Sequence, residues 1–199
     1  MITRKEMTRM LLKEGLLSCL ANNSFESLTV TLLCKASGIT RSTFYLHYSN
    51  IMEIVDDLVD DAIAYSRPGM VDDNNLQTIA RTLSAASDSV SLREAYDSIF
   101  DRLPLCQRII RHKKYLPLFL DDQISEYVLQ RIIGSEKDRQ GLVMAEALGT
   151  SFDVGVSVFV FLVHGLYAVN KQYKWSQSDE WLEAQKIIFE LVYRGLQRR

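Results

Sequence analysis

The sequence has few cysteine and histidine residues, which limits the chemistry that the chain can perform. Its three cysteines, Cys19, Cys34 and Cys106, are odd in number, widely spaced and set among apolar residues. Such cysteines are typical of small core residues in a reducing compartment, so neither a disulfide framework nor a metal site is predicted. The three histidines and the scattered acids form no group of nucleophile, base and orienting residue. We therefore expect no enzymatic activity and no cofactor.

The sequence also lacks internal repeats, low-complexity tracts, glycine-rich phosphate loops and patterns typical of strands. Its first residues, M-I-T-R-K-E-M, do not contain the apolar core of a signal peptide. The most apolar stretch, Val154 to Val169, is interrupted by Ser157 and His164 and is shorter than the ~20 residues that a membrane-spanning helix needs. These features predict a soluble cytoplasmic protein.

Charge is distributed unevenly along the chain. The first 50 residues contain six lysines and arginines against three acids, whereas the remainder contains 17 basic and 22 acidic residues. A formal net charge of -2 therefore conceals a basic N-terminal end. That end is the candidate nucleic-acid-binding part of the chain.

The stretch from Phe25 to Tyr48 predicts a helix, a tight turn and a second helix. Thr29 is placed to cap a first helix whose apolar residues recur at helical spacing. Gly38 stands where the chain must turn sharply, a position that often requires a positive φ angle. Thr40 then caps a second helix with a short, polar and exposed first turn. Phe44 lies on its apolar side.

This stretch, T-V-T-L-L-C-K-A-S-G-I-T-R-S-T-F-Y-L-H-Y, resembles the helix-turn-helix signature of the TetR family of bacterial transcriptional regulators. The resemblance covers about the first quarter of the chain, and its T-F-Y-x-H-Y ending is the most specific part. It implies an all-α fold with an N-terminal three-helix DNA-binding domain joined to a C-terminal helical bundle. The implied domains are 1–50 for DNA binding, 51–75 for a connecting helix and linker, and 76–199 for ligand binding and dimerisation.

The resemblance further implies that the second helix of the motif enters the major groove of a palindromic operator. In that arrangement Arg41 reads guanine and Tyr45 contacts a phosphate. The full set of residues predicted to contact or flank DNA is Thr29, Thr31, Lys35, Thr40, Arg41, Ser42, Thr43, Tyr45, His47 and Tyr48. The chain departs from the family pattern at Ile51, where a phosphate-binding lysine is common, and at Ser42, which is often glycine or proline.

Apolar spacing predicts most of the chain to be helical. Helices are expected at Thr3–Asn22, Ile51–Ser66, 76–86, 91–103, 106–114, 117–133, 142–173 and 178–198. Gly134 is expected to close the helix before it, and the charged run S-E-K-D-R-Q at 135–140 is predicted to be a loop. The segment 142–173 is expected to be one long helix, or two interrupted near Gly149. The proline- and glycine-containing segment 67–75 is the predicted domain boundary.

The two C-terminal helices need more apolar covering than a small body offers. A second copy of the chain is the simplest cover and would give a homodimer with a four-helix interface. The alternative is a monomer whose own core is thick enough to cover both helices. Family members release DNA when a small molecule binds in the body, and an apolar or aromatic effector is expected here. The candidate pocket residues are Phe100, Tyr115, Phe119, Tyr127, Phe152, Phe159, His164 and Tyr167. The sequence thus favours a dimeric repressor, with a TetR-like co-activator or protein-interaction module that binds no operator as the alternative.

Overall fold

The computed structural model describes residues 3–67 and 75–196. Within these residues the chain is all-α, as predicted, and contains no β-strand. The helices are, in chain order, α1 (Arg4–Leu20), α2 (Val30–Ser37), α3 (Arg41–Tyr45), α4 (Ile51–Ser66), α5 (Asn75–Ser84), α6 (Ser89–Ser98), α7 (Leu105–Arg111), α8 (Leu116–Leu120), α9 (Ser125–Leu148), α10 (Phe152–Gln172) and α11 (Asp179–Leu196). Most of the predicted boundary at 67–75 lies outside the described residues.

The chain forms two compact units that do not follow its order. The first unit combines Met1–Ser66 with Ile109–Arg131, and the second combines Arg67–Arg108 with Ile132–Arg199. The domain division expected from sequence places 109–131 with the C-terminal body. In the structure this segment bonds to the N-terminal part: the amide of Phe25 donates to the Asp121 carboxylate at 2.6 Å.

In the first unit α1 packs on α2 and α4. The N-terminus of α1 is closed by a reciprocal capping box between Thr3 and Glu6. Its predicted apolar stripe is buried and consists of Leu12, Leu16, Cys19 and Leu20. Gly15 sets the approach to α2, because a Cβ there would lie 2.8 Å from the Cβ of Ser37. The absence of a side chain at Gly15 therefore allows the two backbones to come close.

Helix α4 begins as predicted and carries a row of acids that are paired inside the first unit. The Asn50 side chain accepts the Glu53 amide at 3.1 Å, and the Glu53 carboxylate accepts the Ser49 amide at 2.8 Å. The ion pairs of this row are Arg9–Asp57, Lys13–Asp61, Arg131–Asp56 and Arg131–Asp60. The acidic face of α4 is thus largely neutralised by α1 and by the start of α9.

The helix boundaries in the structure differ from those predicted between residues 117 and 142. Helix α8 ends at Leu120, and the Asp121 carboxylate accepts the amides of Gln123 and Ile124 before α9 begins. Helix α9 then runs straight through 134–140, so the predicted stop at Gly134 and the charged loop after it were wrong. The chain breaks at Gly149, whose φ is 59°, so the predicted interruption near that residue is confirmed.

The charged run 135–140 is helical for a local reason. Glutamate, lysine, arginine and glutamine are good helix formers, and charge alone does not favour a loop. Glu136 and Arg139 also form an ion pair at i,i+3 with a distance of 2.5 Å. Gly134 is exposed within α9, and a Cβ there would meet nothing within 4 Å. No close approach therefore requires glycine at this position, and the neighbouring helix formers carry α9 through it.

The core of the second unit lies between α5, α6, α10 and α11. Its buried residues are Ile79, Ala80, Leu83, Leu92, Tyr96, Ile99, Leu103, Leu166, Trp181, Leu182 and Phe189. Buried hydrogen bonds between side chains also cross this core. The Tyr96 hydroxyl donates to Gln107 at 2.8 Å, whose amide donates to Gln185, also at 2.8 Å. The Trp181 indole donates to Asn170 at 2.8 Å.

Helix α10 is closely packed on one side and exposed on the other. It crosses α9 at Gly155, where a Cβ would lie 2.2 Å from the Gly141 carbonyl oxygen. By length and composition alone this helix could cross a membrane, and 28% of its most apolar 18-residue window is buried. Much of the apolar surface of α10 is therefore exposed.

Candidate nucleic-acid interface

The α2–turn–α3 segment is built by short-range hydrogen bonds. The Thr29 hydroxyl accepts the Leu32 amide at 3.1 Å and so caps α2. Helix α2 ends at Gly38, with φ 67° and ψ 23°, and the amides of Gly38 and Ile39 both point to the Cys34 carbonyl. This left-handed conformation is the one that glycine adopts without strain. The predicted cap and turn are confirmed.

Helix α3 is short and is held by one buried aromatic ring. Thr40 caps it by accepting the Thr43 amide at 3.2 Å, and the Thr40 hydroxyl also lies 3.0 Å from that of Ser42. Phe44 is completely buried, and its ring packs edge-on against Tyr45 with centroids 5.1 Å apart. Because Phe44 anchors the inner side of α3, the residues at the other positions of the helix point outward.

The predicted DNA-contacting residues divide by exposure. Thr43 and His47 are half-buried, and Tyr48 is buried. The exposed ones are Thr29, Thr31, Lys35, Thr40, Arg41, Ser42 and Tyr45. The Nδ1 atom of His47 is buried and makes no hydrogen bond within the part of the chain that the structure describes. Seven of the ten predicted residues therefore have side chains that solvent or a partner reaches.

The placement of Tyr48 corrects its predicted role beside DNA. Its side chain is only 3% exposed, and its hydroxyl donates to Asp57 at 2.5 Å while accepting from the Arg9 Nε atom at 3.2 Å. The Arg9 guanidinium also lies 5.1 Å from the centre of the Tyr48 ring. Tyr48 thus joins α1, α3 and α4 inside the first unit. The partner of its hydroxyl, Asp57, lies on the following helix, which short-range spacing does not indicate.

The titration behaviour of this cluster follows from its burial and its hydrogen bonds. Burial, followed by the hydrogen bond to Asp57, raises the pKa of Tyr48 above its ordinary value. Burial alone would raise the pKa of Asp57, but the hydrogen bonds from Tyr48 and Arg9 together lower it. The hydrogen bond to Asp57 raises the pKa of Arg9. All three groups therefore keep their neutral-pH states, with Arg9 and Asp57 charged and Tyr48 protonated.

Leu46 is an exposed residue next to α3 that the sequence interpretation did not include among the candidate DNA-binding residues. It follows α3 directly, and its side chain is 81% exposed, more than that of Tyr45 at 53%. Arg41, Ser42, Tyr45 and Leu46 stand at positions i, i+1, i+4 and i+5, a spacing that places them on one side of a helix. This spacing from Arg41 is the sequence feature that could have identified Leu46 as a candidate. We define these four residues, Arg41, Ser42, Tyr45 and Leu46, as the α3 outer face.

The basic side chains of residues 3–50 divide into those with an ion pair and those without one. Arg9 and Lys13 are held by Asp57 and Asp61. Within the described residues 3–50, the exposed bases without an ion pair are Arg4, Lys5, Lys35 and Arg41. Ile51, which stands where the TetR pattern often has lysine, is half-buried at the start of α4. These four cations of the first unit are exposed and carry no ion pair among the residues that the structure describes.

A cavity of about 350 Å³ lies in the second unit, and Phe159 is the member of the predicted pocket that lines it. Tyr115, Phe119 and Tyr127 belong to the first unit. The other four, Phe100, Phe152, His164 and Tyr167, are in the second unit but do not line this cavity. The Nδ1 atom of His164 lies 2.9 Å from the Val160 carbonyl oxygen of its own helix. The structure therefore does not bring the eight residues together.

Comparison of the chain with models of known protein families and with curated proteins finds no match.

Proposed function

We propose that the protein is a DNA-binding transcriptional regulator, a repressor, with a TetR-like helix-turn-helix head that binds a palindromic operator as a homodimer in the cytoplasm. The observation that carries the proposal is the α3 outer face. It presents a cation, a hydroxyl and two large side chains on a helix whose buried ring and caps fix its orientation. A short helix with small polar residues at its start is what reading the major groove requires.

Each residue of the α3 outer face has a distinct chemical role in this proposal. The guanidinium of Arg41 donates to the O6 and N7 atoms of a guanine. The hydroxyl of Ser42 bonds to a base edge with less selectivity, and the phenol of Tyr45 donates to a phosphate oxygen. Leu46 supplies an apolar contact of the kind that thymine methyl groups provide in the major groove. Lys35 and the start of α1 add charge beside the phosphate backbone.

Exposed apolar side chains on the last two helices support the homodimer. Phe161 and Leu191 are 75% and 65% exposed, and Val154 and Ile187 are about half exposed, at 47% and 48%. A monomer that left these side chains in water would present an extended apolar patch. Pairing α10 and α11 with those of a second copy covers them, and a two-fold dimer places its heads on half-sites ~34 Å apart or a multiple of it.

Release of DNA by a small molecule is the second part of the proposal. The cavity in the second unit has the size of a ligand site and is walled mainly by leucine, isoleucine, valine and phenylalanine. An effector acts by binding the DNA-free conformation more tightly than the DNA-bound one. This differential affinity is what the proposed regulation requires.

A protein-interaction module that binds no operator is the second candidate. The feature that favours it is Ile51, because a phosphate contact supplied by lysine in the TetR pattern is missing from each head. The two candidates differ in one measurable property. An operator-binding head shows salt-dependent and sequence-specific affinity for DNA, whereas an interaction module shows neither.

The decisive experiment measures binding to DNA from upstream of the protein's own gene at several salt concentrations. We expect affinity to fall steeply with salt, because Lys35, Arg41 and the start of α1 displace counterions. Arg41→Ala should weaken specific binding by ~1–3 kcal/mol and relax base preference at one symmetric pair of positions. Arg93→Ala, which removes an exposed arginine of the second unit, serves as the matched control. Unchanged operator affinity of the Arg41 variant would overturn the assignment of the α3 outer face.

A further inference from the structure

The cavity in the second unit is large enough for more than one ring and is enclosed mainly by apolar side chains. Helix α9 contributes Val143 and Met144, and α10 and α11 contribute Phe159, Leu166 and Phe189. In general an apolar cavity of ~150 Å³ stays dry and holds one benzene molecule. The cavity here has a volume of about 350 Å³, which is more than twice as large. A compound of about two fused rings therefore fits its size.

The charged side chains of the wall do not require a charged ligand. Glu136 is only 3% exposed, and its carboxylate already accepts from Arg139 at 2.5 Å and from Arg67 at 2.7 Å. Arg102 and Arg139 also line the cavity, but both are partly exposed, so water solvates their guanidinium groups. A charged ligand would lose its own hydration among the apolar side chains and would have to displace these contacts to find a partner. An uncharged ligand has neither cost.

Gln140 is the lining side chain suited to recognise a neutral polar group. It lies on α9 three residues before Val143 and four before Met144, so the three side chains share one face of the helix. Gln140 is half-buried, and its side-chain amide makes no hydrogen bond to another residue that the structure describes. A neutral amide both donates and accepts, so it can bond to a hydroxyl or a carbonyl group.

We propose that this cavity binds uncharged compounds of about two fused rings that carry one hydroxyl or carbonyl group. The ring system packs against Val143, Met144 and Phe159, where burial of its apolar surface stabilises the complex. The hydroxyl or carbonyl group bonds to Gln140. Naming this class of ligand deepens the proposed function, since release of DNA by the ligand rests on that function. The binding itself does not.

The test compares four probes with the same two rings by titration calorimetry at pH 7: 2-naphthol, naphthalene, 2-naphthoate and 2-naphthylmethylammonium. The first two are uncharged, the third is an anion and the fourth is a cation. We expect 2-naphthol to bind at one site per chain, and naphthalene to bind about fivefold more weakly, as the loss of one neutral hydrogen bond predicts. Both ions should bind about tenfold or more weakly than 2-naphthol, because their hydration is lost without compensation.

A substitution at Gln140 tests the polar contact. Gln140→Met removes the amide and retains a side chain of similar length, so it should lower the affinity for 2-naphthol to that for naphthalene and leave naphthalene unchanged. Gln172→Met is the matched control, because Gln172 is an exposed glutamine of α10 that does not line the cavity. The control should retain the preference for 2-naphthol. If Gln140→Met retains it as well, the assigned contact is wrong.

A pair of glycine variants tests the location of the site. Gly165 lines the cavity and Gly134 does not, and a Cβ at either position meets nothing within 4 Å. Leucine at either position therefore adds bulk without a backbone clash, and only Gly165→Leu should weaken 2-naphthol and naphthalene alike. Absence of binding, tighter binding of either ion than of 2-naphthol, or equal affinities in the two leucine variants would overturn the proposal.

Failure of this proposal can be distinguished from failure of the proposed function. A gel-shift experiment with the unmodified protein measures operator binding without any probe. If the protein does not bind DNA there, the proposed function is wrong and the calorimetric result is unaffected. If the protein binds its operator but gives no heat with 2-naphthol, the ligand site is wrong and the repressor remains.

Discussion

At the scale of single residues, Leu46 has an unusually high exposure for an apolar side chain. It is 81% exposed next to Arg41 and Tyr45, and no packing within the first unit covers it. Truncation of the Leu46 side chain should therefore change the free energy of unfolding only slightly. The same exposure makes it available for an apolar contact to a thymine methyl group in the major groove.

Leu46→Ala should weaken operator binding by less than Arg41→Ala and should leave the salt dependence unchanged, because no charge is lost. The measurement is a gel-shift series in which each thymine of one half-site is replaced in turn by uracil, which lacks the methyl group. One uracil position should weaken the unmodified protein and have no further effect on the Leu46 variant. If every uracil position weakens both proteins equally, Leu46 does not read a methyl group.

Asp57 makes the stability of the first unit depend on pH. Its folded pKa is lowered from its usual value of 3.8, because the hydrogen bonds of Tyr48 and Arg9 outweigh its burial. A lowered folded pKa gives stability that is present above the unfolded pKa and lost as pH falls through the folded one. The free energy of unfolding in urea should therefore decrease between pH 5 and pH 2, and by less in Asp57→Asn.

Asp138 provides the control for this measurement, because it is an exposed aspartate of α9. Asp138→Asn should retain the acid-dependent loss of the unmodified protein. An equal decrease with pH in the Asp57 and Asp138 variants would show that the Arg9–Tyr48–Asp57 cluster does not govern the acid response.

At the scale of elements, the glycines of α10 have opposite structural requirements. A Cβ at Gly155 would lie 2.2 Å from the Gly141 carbonyl oxygen and 2.7 Å from the Ala145 amide nitrogen. A Cβ at Gly165 would meet nothing within 4 Å. Gly155 is therefore needed for the close crossing of α9 and α10, whereas Gly165 only lowers the helix propensity of α10.

Alanine at these two positions should change stability in opposite directions. Gly155→Ala should lower the free energy of unfolding by ~1–3 kcal/mol, because the backbones of α9 and α10 must move apart. Gly165→Ala should raise it by ~0.5–1 kcal/mol through helix propensity. Urea unfolding followed by tryptophan fluorescence measures both changes, since Trp175 and Trp181 are buried in the second unit. Similar effects of the two substitutions would contradict the crossing geometry.

At the scale of the whole molecule, the proposed homodimer depends on the exposed apolar side chains of α10. Phe161 is the most exposed of them, at 75%. Phe161→Arg places a charge where the second copy should pack, so we expect a dimer to become a monomer in sedimentation at micromolar concentration. Affinity for the palindromic operator should fall with it, because each head then binds alone.

Leu120→Arg is the matched control for assembly, because Leu120 is an exposed apolar residue of α8, at 51%. It should remain a dimer. If the unmodified protein itself sediments as a monomer, the proposed binding of a dimer to a two-fold operator is wrong.

Much of the first unit is determined by neighbouring residues and was therefore predictable. The cap at Thr29, the left-handed turn at Gly38 and the cap at Thr40 each depend on partners within five residues. The all-helical class likewise follows from apolar spacing within single helices. The sequence by itself thus determined helices α1 to α4 and which side of α3 faces outward.

What the tertiary structure decided depends on residues far apart in the chain. Tyr48 is buried where Arg9 of α1 and Asp57 of α4 bond to its hydroxyl. Residues 109–131 belong to the first unit through contacts such as that of Asp121 with Phe25. The charged run 135–140 is helical, and its Glu136 is buried at the cavity through Arg67, which lies 69 residues earlier. Local spacing contains no information on such pairings, because they depend on which helices pack together. The helices between residues 3 and 48 were therefore predictable from sequence, whereas the cavity of the second unit depends on how distant helices pack.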